Sequence, residues 1–256
     1  PTPYTCRRQR QMCIRDSLPT QIGVRRRSGE PPGTAVRGVD DAFMLDEITG
    51  HRDAIAGGSL VISDPSSTAV AAALDPRPGD RILDLAAAPG GKTLHLSDLV
   101  GGRSPIVAMD RHQGRAAVAR QRTQRWGTNI QWVVGDAVVP PFAKETFDRV
   151  LLDAPCTGLG TLRRRPEIRH RINEGSAAKA GNLQRRMLEA ALPLLRPGGR
   201  LVYSVCTVTR EETTDIVRGT GSHAPAGVPG AVLEGGVLLA PHITGSDGMF
   251  VAVIDR

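Results

Sequence analysis

The sequence predicts an α/β protein built on a mostly parallel sheet with helices on both faces, and three observations carry that prediction. Short aliphatic runs alternate with longer segments of helical period from Arg81 to Val205, the order expected of a doubly wound sheet. Four of the short runs close on an aspartate or meet one directly afterwards, at Asp84, Asp110, Asp136 and Asp153. A parallel sheet brings the carboxyl ends of its strands to one edge, where ligands bind, so these four carboxylates are expected to converge.

The 256 residues suffice for one large α/β domain, or a domain and a small appendage. Segment 1–17, PTPYTCRRQRQMCIRDS, has no periodicity and reads as a non-native tail. Residues 18–36 are rich in Pro, Gly and Arg and read as loop or linker, and 37–64 end in SLVISD, a strand pair beside the main domain. The Ala-rich run Ser66 to Leu74 is helical until Pro76, Pro78 and Gly79 stop it. We therefore expect a linker and extension over 18–70 and the principal domain over 71–256.

Within that domain Arg81 to Leu85 reads as a strand, Lys92 to Val100 as a helix, and Pro105 to Met109 as a strand ending at Asp110. A helix over Arg111 to Trp126 follows, then strands at Ile130 to Val134 and Asp148 to Leu152. Ser176 to Leu195 is a helix with Leu183, Met187, Ala191 and Leu194 on one stripe, stopped by Pro197, Gly198 and Gly199. Arg200 to Val205 is the fifth strand, Glu211 to Arg218 a short helix, and 219–230 a loop. Gly236–Ala240 and Met249–Ile254 form a closing antiparallel pair.

The first strand runs into RILDLAAAPGGKT. A strand, a small-sided turn and a helix leave unpaired N–H groups over the strand end, a place for a ligand. The loop is not a phosphate-binding P-loop, because Ala86 stands where that motif needs glycine, and it lacks G-x-G-x-x-G. Asp84, Ala86, Ala88 and Gly90 align better with the D-x-G-x-G-x-G loop of S-adenosylmethionine (SAM) enzymes, although an ordinary α/β turn has the same composition. Asp110 follows Gly91 by 19 residues, the distance of a ribose-binding carboxylate, and Asp136 is placed toward an adenine.

Two of the four cysteines, Cys156 and Cys206, sit at the ends of adjacent strands. A free cysteine is often a small buried hydrophobe. Two at one rim, one after Asp-Ala-Pro and the other among Ser and Thr, also suit nucleophilic chemistry, since a thiolate adds to an electrophilic carbon and leaves again. The spacings fit neither a metal site nor a disulfide framework.

Together the DLAAAPGGKT loop, the DAPCTG segment followed by RRRPEI, and YSVCTVTREE resemble the RNA cytosine-5 methyltransferase family of the Sun/Nop type, closest to its bacterial ribosomal small-subunit methyltransferase B branch. The similarity runs from about Leu60 to the closing GSDGMFVAVI. It implies a class I, Rossmann-like SAM-dependent fold with a seven-stranded, mostly parallel sheet and an antiparallel C-terminal strand. It also implies methylation of carbon 5 of cytosine in RNA, expected to be 16S ribosomal RNA, with Cys206 as nucleophile, Cys156 assisting product release and Asp153 bonding the cytosine ring. The loop Ala86, Ala87, Ala88, Pro89, Gly90, Gly91 and Lys92, with Asp110, Asp136 and Asp153, would hold SAM. Family members carry a helical RNA-binding module ahead of this domain, and the chain reads as a fragment without it. A SAM enzyme acting on another nucleic-acid position, or an idle SAM-binding RNA scaffold, are the alternatives.

Net charge is +7, and the 1–17 tail supplies +3 of it. Arg163, Arg164 and Arg165, followed by Arg169 and Arg171, come directly after the Cys156 loop and are expected to contact RNA phosphates. With two Trp, two Tyr and four Phe there is little stacking surface, so binding should be electrostatic. No apolar run approaches the ~18 residues of a membrane span and no leader opens the chain. A cytoplasmic monomer without metal is expected.

Overall fold

The computed structural model describes residues 21–256; the tail expected over 1–17, with Cys6 and Cys13, lies outside the described residues. Residues 22–62 form a small antiparallel sheet. Its strands are β1 (Ile22–Arg26), β2 (Thr34–Ala35), β3 (Ala42–Leu45) and β4 (Leu60–Ile62), in the order β2-β3-β1-β4, with helix α1 (Arg52–Ala56) between the last two in sequence. The stretch 18–36, expected to be loop, thus contains a central strand. Three consecutive arginines hide it, because their partners lie far along the chain. Alternation along the strand sends Arg25 and Arg27 to one face, where both meet Asp98, and Arg26 to the other, where it pairs with Asp41 over the Phe43 ring.

The main sheet comprises β5 (Ile82–Asp84), β6 (Ile106–Asp110), β7 (Ile130–Val134), β8 (Phe147–Asp153), β9 (Leu195–Val205), β10 (Ala231–Leu233), β11 (Gly236–Leu239) and β12 (Met249–Asp255). Their order is β10-β11-β12-β9-β8-β5-β6-β7. The five strands from β9 to β7 are parallel and the other three are antiparallel to their neighbours. That is one strand more than the seven expected: β10 is exposed on all three residues, so no alternation marks it. Pro197-Gly198-Gly199 lies inside β9, which already begins at Leu195; a register shift on β8 between Phe147 and Arg149 absorbs the irregularity.

The remaining helices are α2 (Pro65–Ala73), α3 (Gly91–Leu99), α4 (Gln113–Gln124), α5 (Ser176–Ala191), α6 (Thr214–Val217) and α7 (Pro241–Thr244). α5 gives way to a 3-10 turn at Leu192–Leu194, and the helix expected over 211–218 is split into a 3-10 turn, Arg210–Glu212, and α6. Asp64 caps α2, its carboxylate accepting from the Ser66 amide.

Consecutive residues of the inner strands serve opposite cores. Leu83, Leu152 and Tyr203 pack with Met187 and Leu188 of α5 on one face; Ile82, Leu151 and Val202 pack with Val70, Leu74 and Leu96 of α2 and α3 on the other. From β5 the chain winds out to β6 and β7, then returns to β8 on the other side of β5. The crevice of a doubly wound sheet opens at such a reversal, here between the carboxyl ends of β5 and β8.

Asp98 of α3 joins the small sheet to the main one. Arg27 donates to it through Nε and Nη2 at 2.8 and 2.7 Å. Arg25 Nη2 lies 2.8 Å from Oδ2 but off the line of a hydrogen bond, so the attraction there is Coulombic, and Arg25 is only 2% exposed. Replacing Asp98 with Ala strands a buried guanidinium, and we expect a loss of about 3 kcal/mol, read as a fall in the urea midpoint; an unchanged midpoint would show that the two sheets are not joined through Asp98.

Candidate active site

The site begins where β5 ends. The Ala87 amide donates to the Met109 carbonyl at 2.8 Å, which ties the loop to the end of β6. Gly90, at φ +92°, turns the chain into α3, a conformation that favours glycine. Asp110 accepts from the Ala88 amide (3.2 Å) and the His112 amide (2.9 Å) while nearly buried. Arg115 donates to the Ala88 carbonyl at 2.6 Å, completing a rim of fixed backbone.

Over this edge lies a cavity of about 770 Å³. Ala86 and Ala88 line it with Asp110 and Asp136 at one end, Asp153, Cys156 and Cys206 in the middle, and Arg165 and Arg171 from the segment after the Cys156 loop. Of the expected site residues, Ala87, Pro89, Gly90, Gly91 and Lys92 shape the loop from behind and do not line the cavity. Asp84, grouped with the other three aspartates by its place in the sequence, is sealed beneath the loop: Thr93 donates to its Oδ2 at 2.7 Å, and Oδ1 has no partner among the described residues. Lys92 reaches under the loop to Asp153, Nζ to Oδ2 2.7 Å, and Ser204 donates to the other oxygen at 2.7 Å. Burial works against the Lys92 charge, but the Asp153 carboxylate, with smaller help from Asp84 and Cys206, raises the ammonium above its ordinary pKa.

The two sulfurs touch, Cys156 Sγ to Cys206 Sγ 3.2 Å, with both thiols free. This contact makes them unequal. Bonded to its neighbour and buried, Cys156 is pushed far up and keeps its proton. Cys206 is held below the ordinary thiol value by accepting that proton in a hydrogen bond, with the Lys92 ammonium helping against burial and Asp153. The pair can therefore offer one thiolate and one proton-bearing thiol.

Around them lies a network whose members fall mostly within the DAPCTG and YSVCTVTREE segments, although nothing in those segments gave them a role. Glu212, wholly buried, accepts from the Thr157 amide and hydroxyl at 2.8 and 2.6 Å, from the Thr207 and Thr209 hydroxyls at 3.0 and 2.9 Å, and from Gln184 at 3.1 Å. The sequence signals are the place of Glu212 at the end of YSVCTVTREE and the density of Ser and Thr around both cysteines.

The arginine run is divided. Arg164 turns inward to Asp247 and, at 3.5 Å, Asp64; Arg163 donates to the Gly245 carbonyl at 2.6 Å; Arg165 faces the cavity. Among the described residues no group of His, Cys, Asp and Glu could hold a metal ion, and no helix is long and apolar enough to cross a membrane.

A family model described as 16S rRNA methyltransferase RsmB/F matches residues 71–255. The probable ribosomal RNA small subunit methyltransferase B of Synechocystis sp. is 37% identical over 243 residues, 87% of this chain and 54% of that protein. The crystal structure of NSun6 from Pyrococcus horikoshii with SFG is similar at a TM-score of 0.73 and 31% identity, over 83% of this chain and 56% of that one. A methyltransferase homolog protein from Pyrococcus horikoshii matches at a TM-score of 0.77 and 25% identity, over 95% of this chain and 88% of its own. The chain spans about half the length of the curated relatives it matches.

Two buried groups set opposing pH dependences. Burial pushes the Asp84 carboxyl up to about 7, so between about pH 4 and 7 the folded chain keeps a proton that the unfolded chain has released, and stability falls as pH rises. Burial pushes His95 down to about 3; the unfolded chain takes up a proton below about 6.5 that the folded chain refuses, so stability rises with pH over nearly the same window. The slopes cancel in large part. In Asp84→Asn the main slope opposing His95 is removed, so urea stability should climb more steeply from about pH 4.5 to 6.5 than in the unmodified chain; a slope equal to that of the unmodified chain would remove Asp84 from the balance.

Proposed function

The chain belongs to the RsmB/F family of 16S rRNA methyltransferases, and we propose that it transfers a methyl group from SAM to carbon 5 of a cytosine in RNA through a covalent bond between Cys206 and carbon 6. The observation that carries this reading is the contact of two free, electrostatically unequal cysteines in a cavity that has a carboxylate at each of two further strand ends. We take 71–256 as the catalytic domain and the preceding sheet as its extension. The RNA is ribosomal on the strength of the family, the working form a monomer in the cytoplasm, and no metal takes part.

The residues present fit SAM. Ala86 and Ala88 leave the loop backbone open to the cavity, Asp110 has lone pairs left for ribose hydroxyls, and half-exposed Asp136 stands one strand further on for the adenine amine. SAM, when bound, supplies an electrophilic methyl group. Everything else falls to the chain. Carbon 5 of cytosine is a poor nucleophile until a group adds at carbon 6. Cys206, the lower-pKa sulfur, makes that bond, and the carbon 5–carbon 6 π pair becomes available at carbon 5. Asp153, fixed by Lys92 and Ser204, stabilises the adduct at the ring nitrogen and amino group. Once carbon 5 carries the methyl group, water entering the open cavity takes its proton, the C–H electron pair reforms the carbon 5–carbon 6 double bond, and the Cys206 sulfur departs as thiolate. Cys156, a thiol in contact with Cys206, is in reach to donate a hydrogen bond to the departing sulfur. Arg165 and Arg171, at the open side, meet the phosphates of the strand.

Two measurements test this reading. Asp110→Ala should lose most SAM affinity in calorimetry, since the ribose forfeits a charged acceptor worth roughly 1.5–3 kcal/mol; unchanged affinity would take Asp110 out of the cofactor site. With SAM and 16S rRNA, Cys206→Ala should give neither 5-methylcytosine nor an RNA adduct. Cys156→Ala should accumulate a protein–RNA adduct stable on a denaturing gel, and transcripts containing 5-fluorocytidine should trap the unmodified chain. An adduct from Cys206→Ala and none from Cys156→Ala would exchange the two roles.

A further inference from the structure

We propose that Glu212 is a positioning residue: its carboxylate fastens the loop carrying Cys156 to the loop carrying Cys206 and so sets the contact between the two sulfurs. The inference rests on the reading of these sulfurs as the reacting pair. Glu212 is 0% exposed and does not line the cavity, so any effect on the chemistry passes through other residues.

Its connections identify which residues those are. Thr157 immediately follows Cys156 and donates twice to Glu212, through its amide to Oε1 and its hydroxyl to Oε2. Thr207 immediately follows Cys206 and donates to Oε2, and the hydroxyls of Thr157 and Thr207 are themselves 2.9 Å apart. From behind, Gln184 of α5 donates both to Oε1 and to the carbonyl of Pro155, the residue before Cys156. The carboxylate therefore touches the chain next to each sulfur. Its own backbone is fixed as well. A Cβ at Gly181 would lie 2.3 Å from the Glu211 carbonyl, so α5 packs directly on the turn that bears Glu212, and the Tyr203 hydroxyl lies 2.8 Å from the Glu212 carbonyl.

Among the described residues no Lys, Arg or His lies within ion-pair distance of this carboxylate. A buried charge without a cation is tolerable only when its lone pairs are filled, and here five donors fill them. An apolar side chain would occupy the same space without that demand, but it could not hold two loops at once.

The donors differ in kind, which gives a way to separate geometry from charge. The Thr157 amide and the Gln184 amide, both on Oε1, can only donate, whereas the three hydroxyls on Oε2 can turn and accept. Glu212→Gln, with its oxygen on the Oε1 side, keeps the fastening and loses the charge. Glu212→Ala loses both.

The test is the pH profile of alkylation of each cysteine by iodoacetamide, resolved by peptide mass spectrometry on the full chain without RNA or SAM. Lys92, Asp153 and Arg164, the charged groups that act on Cys206, are unaltered in these variants. In the unmodified chain Cys206 should react with a midpoint below that of an ordinary thiol, and Cys156 should stay slow. In Glu212→Ala the sulfurs separate: the Cys206 midpoint should rise by about one pH unit, as expected on losing a hydrogen bond to a charged group, and Cys156 should become reactive. Glu212→Gln should retain the original profile. If the Ala variant does not fold, Thr157→Val, which keeps shape and amide but loses the hydroxyl, should show the same changes at smaller size. An unmodified profile in folded Glu212→Ala, or failing that in Thr157→Val, overturns the proposal and leaves Glu212 a purely structural residue. A shift in Glu212→Gln as large as in Glu212→Ala also overturns it, assigning the effect to charge. Because no RNA is present, these outcomes stand apart from the covalent mechanism, which fails on its own if Cys206→Ala still makes 5-methylcytosine.

Discussion

Two parallel strands and their register decide where the chemistry can be. β8 and β9 pair so that Asp153 stands opposite Ser204, and the Ala154 amide continues the ladder to the Ser204 carbonyl. Each cysteine leaves its strand within three residues of that pair. Side chains alternate along a strand, so a slip of one residue would turn Ser204 away from Asp153 and carry Cys206 to the other face of the sheet. Both strands are buried on both faces, so a slip would also exchange Tyr203 and Val202 between two differently shaped cores. The packing of α5 on one side and α2 on the other therefore guards a register whose chemical value appears only at the strand ends.

Charge is distributed around this junction with little redundancy. Lys92 is the cation beneath the loop, and it is drawn to Asp153 rather than to Asp84 below it. A loop of alanines and glycines can bring its backbone close to a ligand but has no side chains with which to order its surroundings. That work passes to groups under the loop and across the sheet: Thr93, Ser204 and the Met109 carbonyl. The small-sided turn and the dense polar net behind it are two parts of one arrangement.

Much of this was legible in advance. The strand-end aspartates, the helix stripe of Met187, Ala191 and Leu194, and the convergence of Cys156 and Cys206 follow from local periodicity and the geometry of parallel sheets. What could not be read depends on partners distant in sequence. β1 looked like linker because Arg25, Arg26 and Arg27 are satisfied by Asp98 and Asp41. The arginines after Cys156 formed one block on paper, yet Arg164 is half of a clamp to Asp247 while Arg165 looks into the cavity. Asp84 matches its three counterparts in position, yet they line the cavity and it is sealed beneath the loop. Glu211 and Glu212 are neighbours of identical chemistry, exposed and buried respectively, and the donors from Thr157, Thr207, Thr209 and Gln184 tell them apart.

The Arg164 clamp has a bearing on how the molecule comes into being. It joins three segments at a single point: Asp64 at the start of α2, the run that follows Cys156, and Asp247 just ahead of β12. Beside it the Gly160 amide bonds the Cys206 carbonyl, and Gly248 bonds Gly160 in turn. During synthesis none of these links to residues 247 and 248 can close until nearly the whole domain has left the ribosome. β9 is likewise an open edge until β12 arrives to cover it. Hence a partly made chain already carries both cysteines, beyond the ends of β8 and β9, while the outer edge of β9 still waits for its antiparallel cover.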